Sequence, residues 1–114
     1  MAQSSLTRAE FAVLVATELG MLDLEAGEAL SPTAQTQIIE ATDRHREGLI
    51  EKERCSWTED AIPKAIADEL AMVIADRVKT KFSKLYDKGA EGELRLMALL
   101  SQHADNQPTR AIYF

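Results

Sequence analysis

The stretch from residue 62 to residue 85, IPKAIADELAMVIADRVKTKFSKL, carries one apolar stripe at helical spacing. The stripe comprises Ile62, Ile66, Leu70, Val73 and Ile74, and it continues after a small phase shift with Val78, Phe82 and Leu85. Apolar residues three and four positions apart share one face of an α-helix. We therefore expect a long helix that bends at the shift. Because Pro63 favours a first helical turn, residues 58 to 60 are the expected cap.

Two helices are expected before this stretch. The segment TRAEFAVLVATELG begins with Thr7 and Glu10 at capping-box spacing, and Gly20 is placed to end the helix. A second helix should begin at Ser31-Pro32 and run to about Arg54, because serine is a good N-cap and proline is tolerated at the first helical position. The intervening residues 21–30, MLDLEAGEAL, fit a loop or a strand about equally well.

A fourth helix is expected in GELRLMALLSQ, after a break bracketed by Gly89 and Gly92. It is apolar on two sides, with Leu94, Met97 and Ala98 on one and Leu96, Leu99 and Leu100 on the other. A helix with two apolar faces buries both. One face should meet the core, and the other should meet either a second subunit or the rest of its own chain.

The whole pattern predicts an all-α fold, a small bundle of about four helices followed by an extended C-terminal tail. We divide the chain into a helical domain, residues 1–103, and a tail, residues 104–114. A length of 114 residues with 46% apolar and 28% charged residues suits one globular domain.

The charge distribution argues against general phosphate binding, because the formal net charge is −6. The second half nevertheless contains a run of five cations, opposed within it only by Asp87, namely Arg77, Lys79, Lys81, Lys84 and Lys88. Such a run is most often a solvated helix face, although it also suits a subunit interface or a DNA channel.

The sequence offers little site chemistry. His45, Cys55 and His103 lack metal-ligand spacing, so we expect no metal and no cofactor. His45 falls on the apolar stripe of the second helix, where we expect an imidazole at the core edge with one hydrogen-bond partner. Cys55 should pack beside Trp57 in a buried loop. We find no phosphate loop or nucleophile elbow and predict no enzyme activity.

The start of the chain lacks signal-peptide features, and no apolar run approaches the roughly 20 residues that span a bilayer. With a single cysteine, no disulfide forms within the chain. We therefore expect a protein made in the cytoplasm, without membrane association.

The final residues, HADNQPTRAIYF, differ from the helical segments before them. We interpret residues 104–107 as a spacer and Pro108 as a stiffener. An apolar anchor would follow, formed by Ile112, Tyr113 and Phe114, with Arg110 adding a charged contact. Alternating β-prone side chains of this kind suit a strand or pocket on a partner protein.

The stretch WTEDAIPKAIADELAMVIADRVKTKFSKLYDKGAEGELRLMALL, residues 57–100, resembles the central part of the small helical head-to-tail adaptor (connector) proteins of tailed bacteriophages. An aromatic-containing loop, a helix with small and basic residues, a bend and a further helix occur in the same order. The segments TRAEFAVLVATELG and SPTAQTQIIEATDRHREGLIEK fit the same plan. One departure is Val78, where family members often have a proline after the arginine.

The resemblance implies a structural virion protein of the phage neck, made in the host cytoplasm, that forms a ring of about twelve subunits beneath the portal protein. The ring would extend the DNA channel, with non-specific DNA contact, and would dock a tail or stopper protein. The tail residues Pro108, Arg110, Ile112, Tyr113 and Phe114 would bind the portal. The subunit interface or channel would use Arg77, Lys79, Lys81, Lys84, Lys88, Leu96, Leu99 and Leu100.

Three alternatives stay open at this point. A helix-turn-helix regulator would bind duplex DNA as a compact dimer, with an affinity that falls steeply with salt. Another neck or tail-completion component, or a generic helical adaptor, would share these physical features but bind a different partner. An acid-base enzyme is the third alternative, because carboxylates are plentiful.

Overall fold

The computed structural model describes residues 5–21, 29–52, 55, 57, 58 and 60–105, with side chains described as far as residue 101. The described chain forms four α-helices, α1 (Arg8–Glu18), α2 (Pro32–Glu51), α3 (Lys64–Val78) and α4 (Gly89–Asp105). A 3-10 helix, Lys79–Phe82, follows α3 directly. The predicted all-α class is therefore confirmed.

One small sheet accompanies the helices. Its strands, β1 (Ser5–Leu6) and β2 (Ile62–Pro63), are antiparallel, with Leu6 opposite Ile62 and Ser5 opposite Pro63. The sequence pattern did not predict this pairing, because it joins segments more than 50 residues apart.

The predicted ends of α1 are confirmed. The Thr7 N–H donates to Glu10 Oε1 at 2.9 Å, and Thr7 Oγ1 accepts from the Glu10 N–H at 3.2 Å, which completes the capping box. At the other end Gly20 has a φ of +75°, and the Met21 N–H donates to the Ala16 carbonyl at 2.9 Å. This is the Schellman arrangement, in which glycine takes the left-handed conformation at least cost.

The start of α2 is also as predicted. Ser31 Oγ accepts from the Ala34 N–H at 3.2 Å, and Pro32 is the first helical residue. The helix ends at Glu51, three residues before the predicted end at Arg54.

The start of α3 differs from the prediction. The N-cap is Pro63, with extended φ and ψ of −61° and 132°, and neither Thr58 nor Asp60 caps the helix. The physical reason is the sheet, because Ile62 and Pro63 pair with β1 before the helix begins. Ile62 is still buried in the core, so its place in the apolar stripe was correct.

The expected long, bent helix through residue 85 is wrong. The α-helix ends at Val78, the 3-10 helix follows, and Ser83 takes a left-handed φ of 54°. Phe82 still packs against the core, but Leu85 is 99% exposed. The change of helical period after Val78 rotates the later residues away from the stripe.

The core is centred on α3, which packs against each of the other three α-helices. Nine of its fifteen residues are buried, and they lie around most of its circumference: Ile66, Ala67, Leu70, Ala71, Met72, Val73, Ile74, Ala75 and Val78. The other helices contribute large buried side chains such as Phe11, Ile38 and Leu96. A helix buried on most sides fixes the positions of the helices around it.

The helices α3 and α4 approach each other closely at two glycines of α4. A Cβ atom built on Gly92 would lie 2.5 Å from Met72 Cβ and 3.3 Å from the Glu69 carbonyl oxygen, and one on Gly89 would collide with the Asp76 side chain. Both glycines are buried helical residues. The expected break between Gly89 and Gly92 is therefore wrong, since this stretch is the first turn of α4 and lets the two backbones meet.

We expect Gly92→Ala to destabilise the protein. The added methyl group should cost about 1–3 kcal/mol in overpacking, which outweighs a gain in helix propensity of up to about 1 kcal/mol. Urea unfolding followed by circular dichroism measures the difference.

The matched control is Gly48→Ala in α2, where an added Cβ would have no neighbour within 4 Å. This variant should be stabilised by up to about 1 kcal/mol through helix propensity alone. A Gly92→Ala protein as stable as Gly48→Ala would contradict the close α3–α4 contact.

Candidate functional site

The two sides of α4 differ sharply in exposure. Leu96 and Leu100 are 1% and 5% exposed, and Leu99 packs partly buried against the same core. Leu94, on the other side, is 75% exposed. The assignment of Leu96 and Leu100 to a subunit interface is therefore corrected, because the core of their own chain already covers them. Among the described side chains of α4, Leu94 is the one large apolar residue that is mostly exposed.

The basic run is not one helix face. The Lys79 Nζ atom lies 2.8 Å from Asp76 Oδ1 and 3.1 Å from the Tyr86 carbonyl oxygen, so Lys79 holds the chain after α3 in place. The Tyr86 hydroxyl then donates to Glu18 Oε2 at 2.8 Å and joins this segment to α1. Burial and this hydrogen bond raise the pKa of Tyr86. Lys79 is thus a structural residue.

The remaining four cations separate into two pairs. Arg77 and Lys81 line a groove between α2 and α4, whereas Lys84 and Lys88 are exposed outside it. Lys84 lines a separate hollow with Leu85 and Tyr86, so only Arg77 and Lys81 belong to the groove.

This groove, which we call the α2–α4 groove, is the main candidate site in the described chain. It encloses about 410 Å³ over the C-terminal end of α3. Leu49, Val78 and Leu96 are buried residues of its apolar floor. Pockets of this size with an apolar base and a few polar groups suit a peptide side chain or a small ligand.

Positive charge dominates the walls. Arg44 and Lys52 come from the two ends of the groove on α2, and they join Arg77 and Lys81, whereas Glu93 is the one acidic lining residue among those described. None of these four cations forms an ion pair or hydrogen bond with another described residue. The groove therefore favours an anionic group.

His45 lies on the wall between these cations. Its Nε2 atom is buried and has no hydrogen-bond partner among the described residues, so the single partner expected from the sequence is not found for this atom. Burial, and then the positive charge of Arg77, lowers the pKa of His45 to about 4. The charge of Lys52 acts in the same direction and that of Glu93 against it. At neutral pH the imidazole is therefore uncharged.

The groove was not predicted, and Arg44 and Lys52 were not singled out. A signal was present in α2, where Ala41, His45, Gly48 and Lys52 recur at helical spacing. Two small residues on one helix face leave room beside the histidine. That spacing marks a helix face with a hollow, although it does not indicate which helix lies opposite.

The loop residues Cys55 and Trp57 have structural roles. Trp57 is buried, as expected, and Cys55 Sγ lies 3.5 Å from the Trp57 carbonyl oxygen. Arg46 donates to the same carbonyl through Nε and Nη2, at 3.0 and 2.7 Å. These contacts attach the loop to α2.

A second polar cluster joins the start of α1 to distant segments. Arg8 Nη1 lies 2.9 Å from Asp43 Oδ2, and Arg8 Nε lies 3.0 Å from Asp60 Oδ1. The Arg8 N–H also donates to Asp60 Oδ1 at 3.1 Å, and these hydrogen bonds lower the pKa of Asp60. Because its one cation, Arg8, is paired with both carboxylates, the cluster is a structural clamp rather than a binding site.

The tail assignment is tested only at its first two residues. Ala104 and Asp105 are the last residues of α4, so they continue the helix and do not form a spacer. The proposed docking residues Pro108, Arg110, Ile112, Tyr113 and Phe114 lie outside the described residues.

The described residues contain no group of three or more His, Cys, Asp or Glu side chains placed to hold a metal ion. None of the helices in this part of the chain is long and apolar enough to cross a membrane. The sequence matches no family model, and neither the curated proteins nor the solved structures include a significant match.

The lowered pKa of His45 predicts a pH-dependent loss of stability. Between the ordinary pKa of about 6.5 and the folded value of about 4, the unfolded chain binds more protons at this residue than the folded chain. Stability should therefore fall as the pH drops through this range. The loss should be no more than about 2 kcal/mol, once partial exposure is allowed for.

Urea unfolding at pH 7 and at pH 4.5 tests this prediction, with His45→Gln as the reference protein. The wild type should lose more stability than the variant over this interval, because other titrating groups are common to both. Equal losses would show that His45 titrates normally in the folded state.

Proposed function

We propose that this chain is a head-to-tail adaptor of a tailed bacteriophage or a phage-like particle. About twelve copies would form a ring beneath the portal protein, extend the DNA channel and present a docking surface to a tail or stopper protein. The proposal starts from the resemblance of residues 57–100 to such adaptors. It is supported by the all-α fold and by the two accessible surfaces described above.

The observation that carries the proposal is the pair of unlike surfaces on one small domain. A ring closes through a heterologous interface, in which one patch of each subunit meets a different patch of the next. Leu94 is an exposed apolar residue of α4, and the α2–α4 groove is concave and basic. One chain therefore offers two patches that differ in shape and charge.

The proposed role of the protein is mechanical. Each subunit would contribute weak contacts that become strong when the ring engages one symmetric platform, because the copies bind together. The residues after Asp105 would provide part of this contact. Nine extended residues reach about 30 Å, far enough to lie on a neighbouring protein. Pro108 would restrict the approach, and residues 112–114 would supply apolar contact.

Mass measurement by sedimentation, for the purified protein alone and mixed with the portal protein of the same particle, tests the function. A species that becomes a ring of about twelve copies with the portal supports the adaptor. A compact dimer that ignores the portal and binds duplex DNA with a steep salt dependence would instead support the regulator.

Removal of residues 106–114 should leave folding unchanged and weaken portal binding at least tenfold. The truncation begins after Asp105 because α4 includes that residue. Thermal unfolding checks the fold, and a portal pull-down at graded concentrations checks binding.

The control keeps the length of the tail and replaces Ile112, Tyr113 and Phe114 with serine. Loss of binding in both proteins assigns the contact to the apolar anchor. Portal binding by the truncated protein that equals the wild type would exclude a docking role for this segment.

Leu94→Glu should impair ring formation without loss of stability, because the side chain is exposed in the single chain. Leu96→Glu, two positions away, should instead unfold the protein, since it places a charge in the core. Sedimentation with the portal and urea unfolding separate these outcomes. Normal rings from Leu94→Glu would remove this side of α4 from the interface.

A further inference from the structure

The α2–α4 groove has features of a binding site. Its four cations are exposed and have no partner among the described residues. A ligand that supplies carboxylates and an apolar body would match these charges and the apolar floor between them.

We propose that the α2–α4 groove binds the acidic segment Leu22–Glu28 of a second copy of this chain. The inference rests on the proposed ring, and it names the contact between neighbours. The segment has the sequence LDLEAGE and lies between α1 and α2.

The charges of segment and groove are complementary. Asp23, Glu25 and Glu28 provide three carboxylates within seven residues, with no cation among them. The groove presents four cations against the single acidic residue Glu93. Such complementarity favours association and sets the register between partners.

The apolar groups of segment and groove also match. Leu22 and Leu24 alternate with the acidic residues. The leucines can therefore enter the groove while the carboxylates meet the cations at its rim. The floor consists of buried Leu49, Val78 and Leu96.

The proposed ring favours a second copy as the source of the segment. The groove runs along α2 from Ala41 to Lys52, and the segment precedes Pro32 in the sequence. A contact between this segment and the groove of another copy is heterologous, and heterologous contacts between successive copies close a ring.

The test begins with a labelled peptide of residues 21–30, MLDLEAGEAL, titrated against the full-length protein by fluorescence anisotropy. We expect saturable binding that Arg77→Glu with Lys81→Glu weakens at least tenfold. Lys84→Glu with Lys88→Glu makes the same charge change outside the groove and should leave binding within twofold of the wild type. Equal effects of the two double variants would overturn the site.

A charge exchange tests the contact between copies. The groove variant Arg77→Glu with Lys81→Glu and the segment variant Asp23→Lys with Glu25→Lys should each fail to form rings on the portal. One chain that carries all four substitutions should regain them. Absence of this recovery, while circular dichroism shows that every variant is folded, would overturn the proposal.

Two further outcomes would also overturn it. If the peptide binds only the Asp23→Lys, Glu25→Lys protein, then each chain fills its own groove. If the groove variant loses duplex DNA binding but keeps peptide binding, then the cations serve DNA. The peptide titration does not involve the portal. If the wild-type protein forms rings on the portal but does not bind the peptide, the inference alone is rejected. If the wild-type protein forms no rings on the portal, the proposed function is rejected.

Discussion

The arrangement of this protein depends on the close contact between α3 and α4. Gly92 lies against Met72 at a distance that no larger residue allows, and Gly89 lies against Asp76 in the same way. This contact sets the rotation of α4 about its own axis. As a result Leu96 and Leu100 enter the core and Leu94 faces solvent. The choice of which apolar side is buried therefore follows from two glycines.

The α2–α4 groove follows from the same geometry. Both α2 and α4 pack on α3, and the space between them lies over Val78. Small residues on α2, Ala41 and Gly48, widen that space, and it is lined by the cations Arg44, Lys52, Arg77 and Lys81. The end of α3 and the 3-10 helix place Arg77 and Lys81 at the groove, while the Asp76 ion pair keeps Lys79 in the structural framework.

Local signals in the sequence predicted the ends of α1 and the start of α2, because Thr7, Gly20 and Ser31 act on backbone groups within a few residues. Long-range contacts escaped prediction. The strand pairing of Leu6 with Ile62 shifted the start of α3, and periodicity alone did not reveal that the helix ends at Val78.

The candidate site was predictable only in part, for the same reason. The sequence placed Arg77 and Lys81 in a basic run, but their approach to Arg44 and His45 depends on the packing of three helices. The two apolar sides of α4 were also visible in the sequence. Their division into core and surface depends on Gly92, whose role is apparent only beside Met72.

The close contact between α3 and α4 is the basis of the proposed ring. The α3–α4 packing leaves Leu94 exposed on α4 and a basic groove between α2 and α4, and a closed ring uses two unlike patches of each subunit. An electron cryomicroscopy map of the protein assembled on its portal tests this account most directly. The account predicts that Leu94 lies at a subunit boundary and that each groove holds residues 22–28 of the next copy. A ring in which both surfaces face solvent would contradict it.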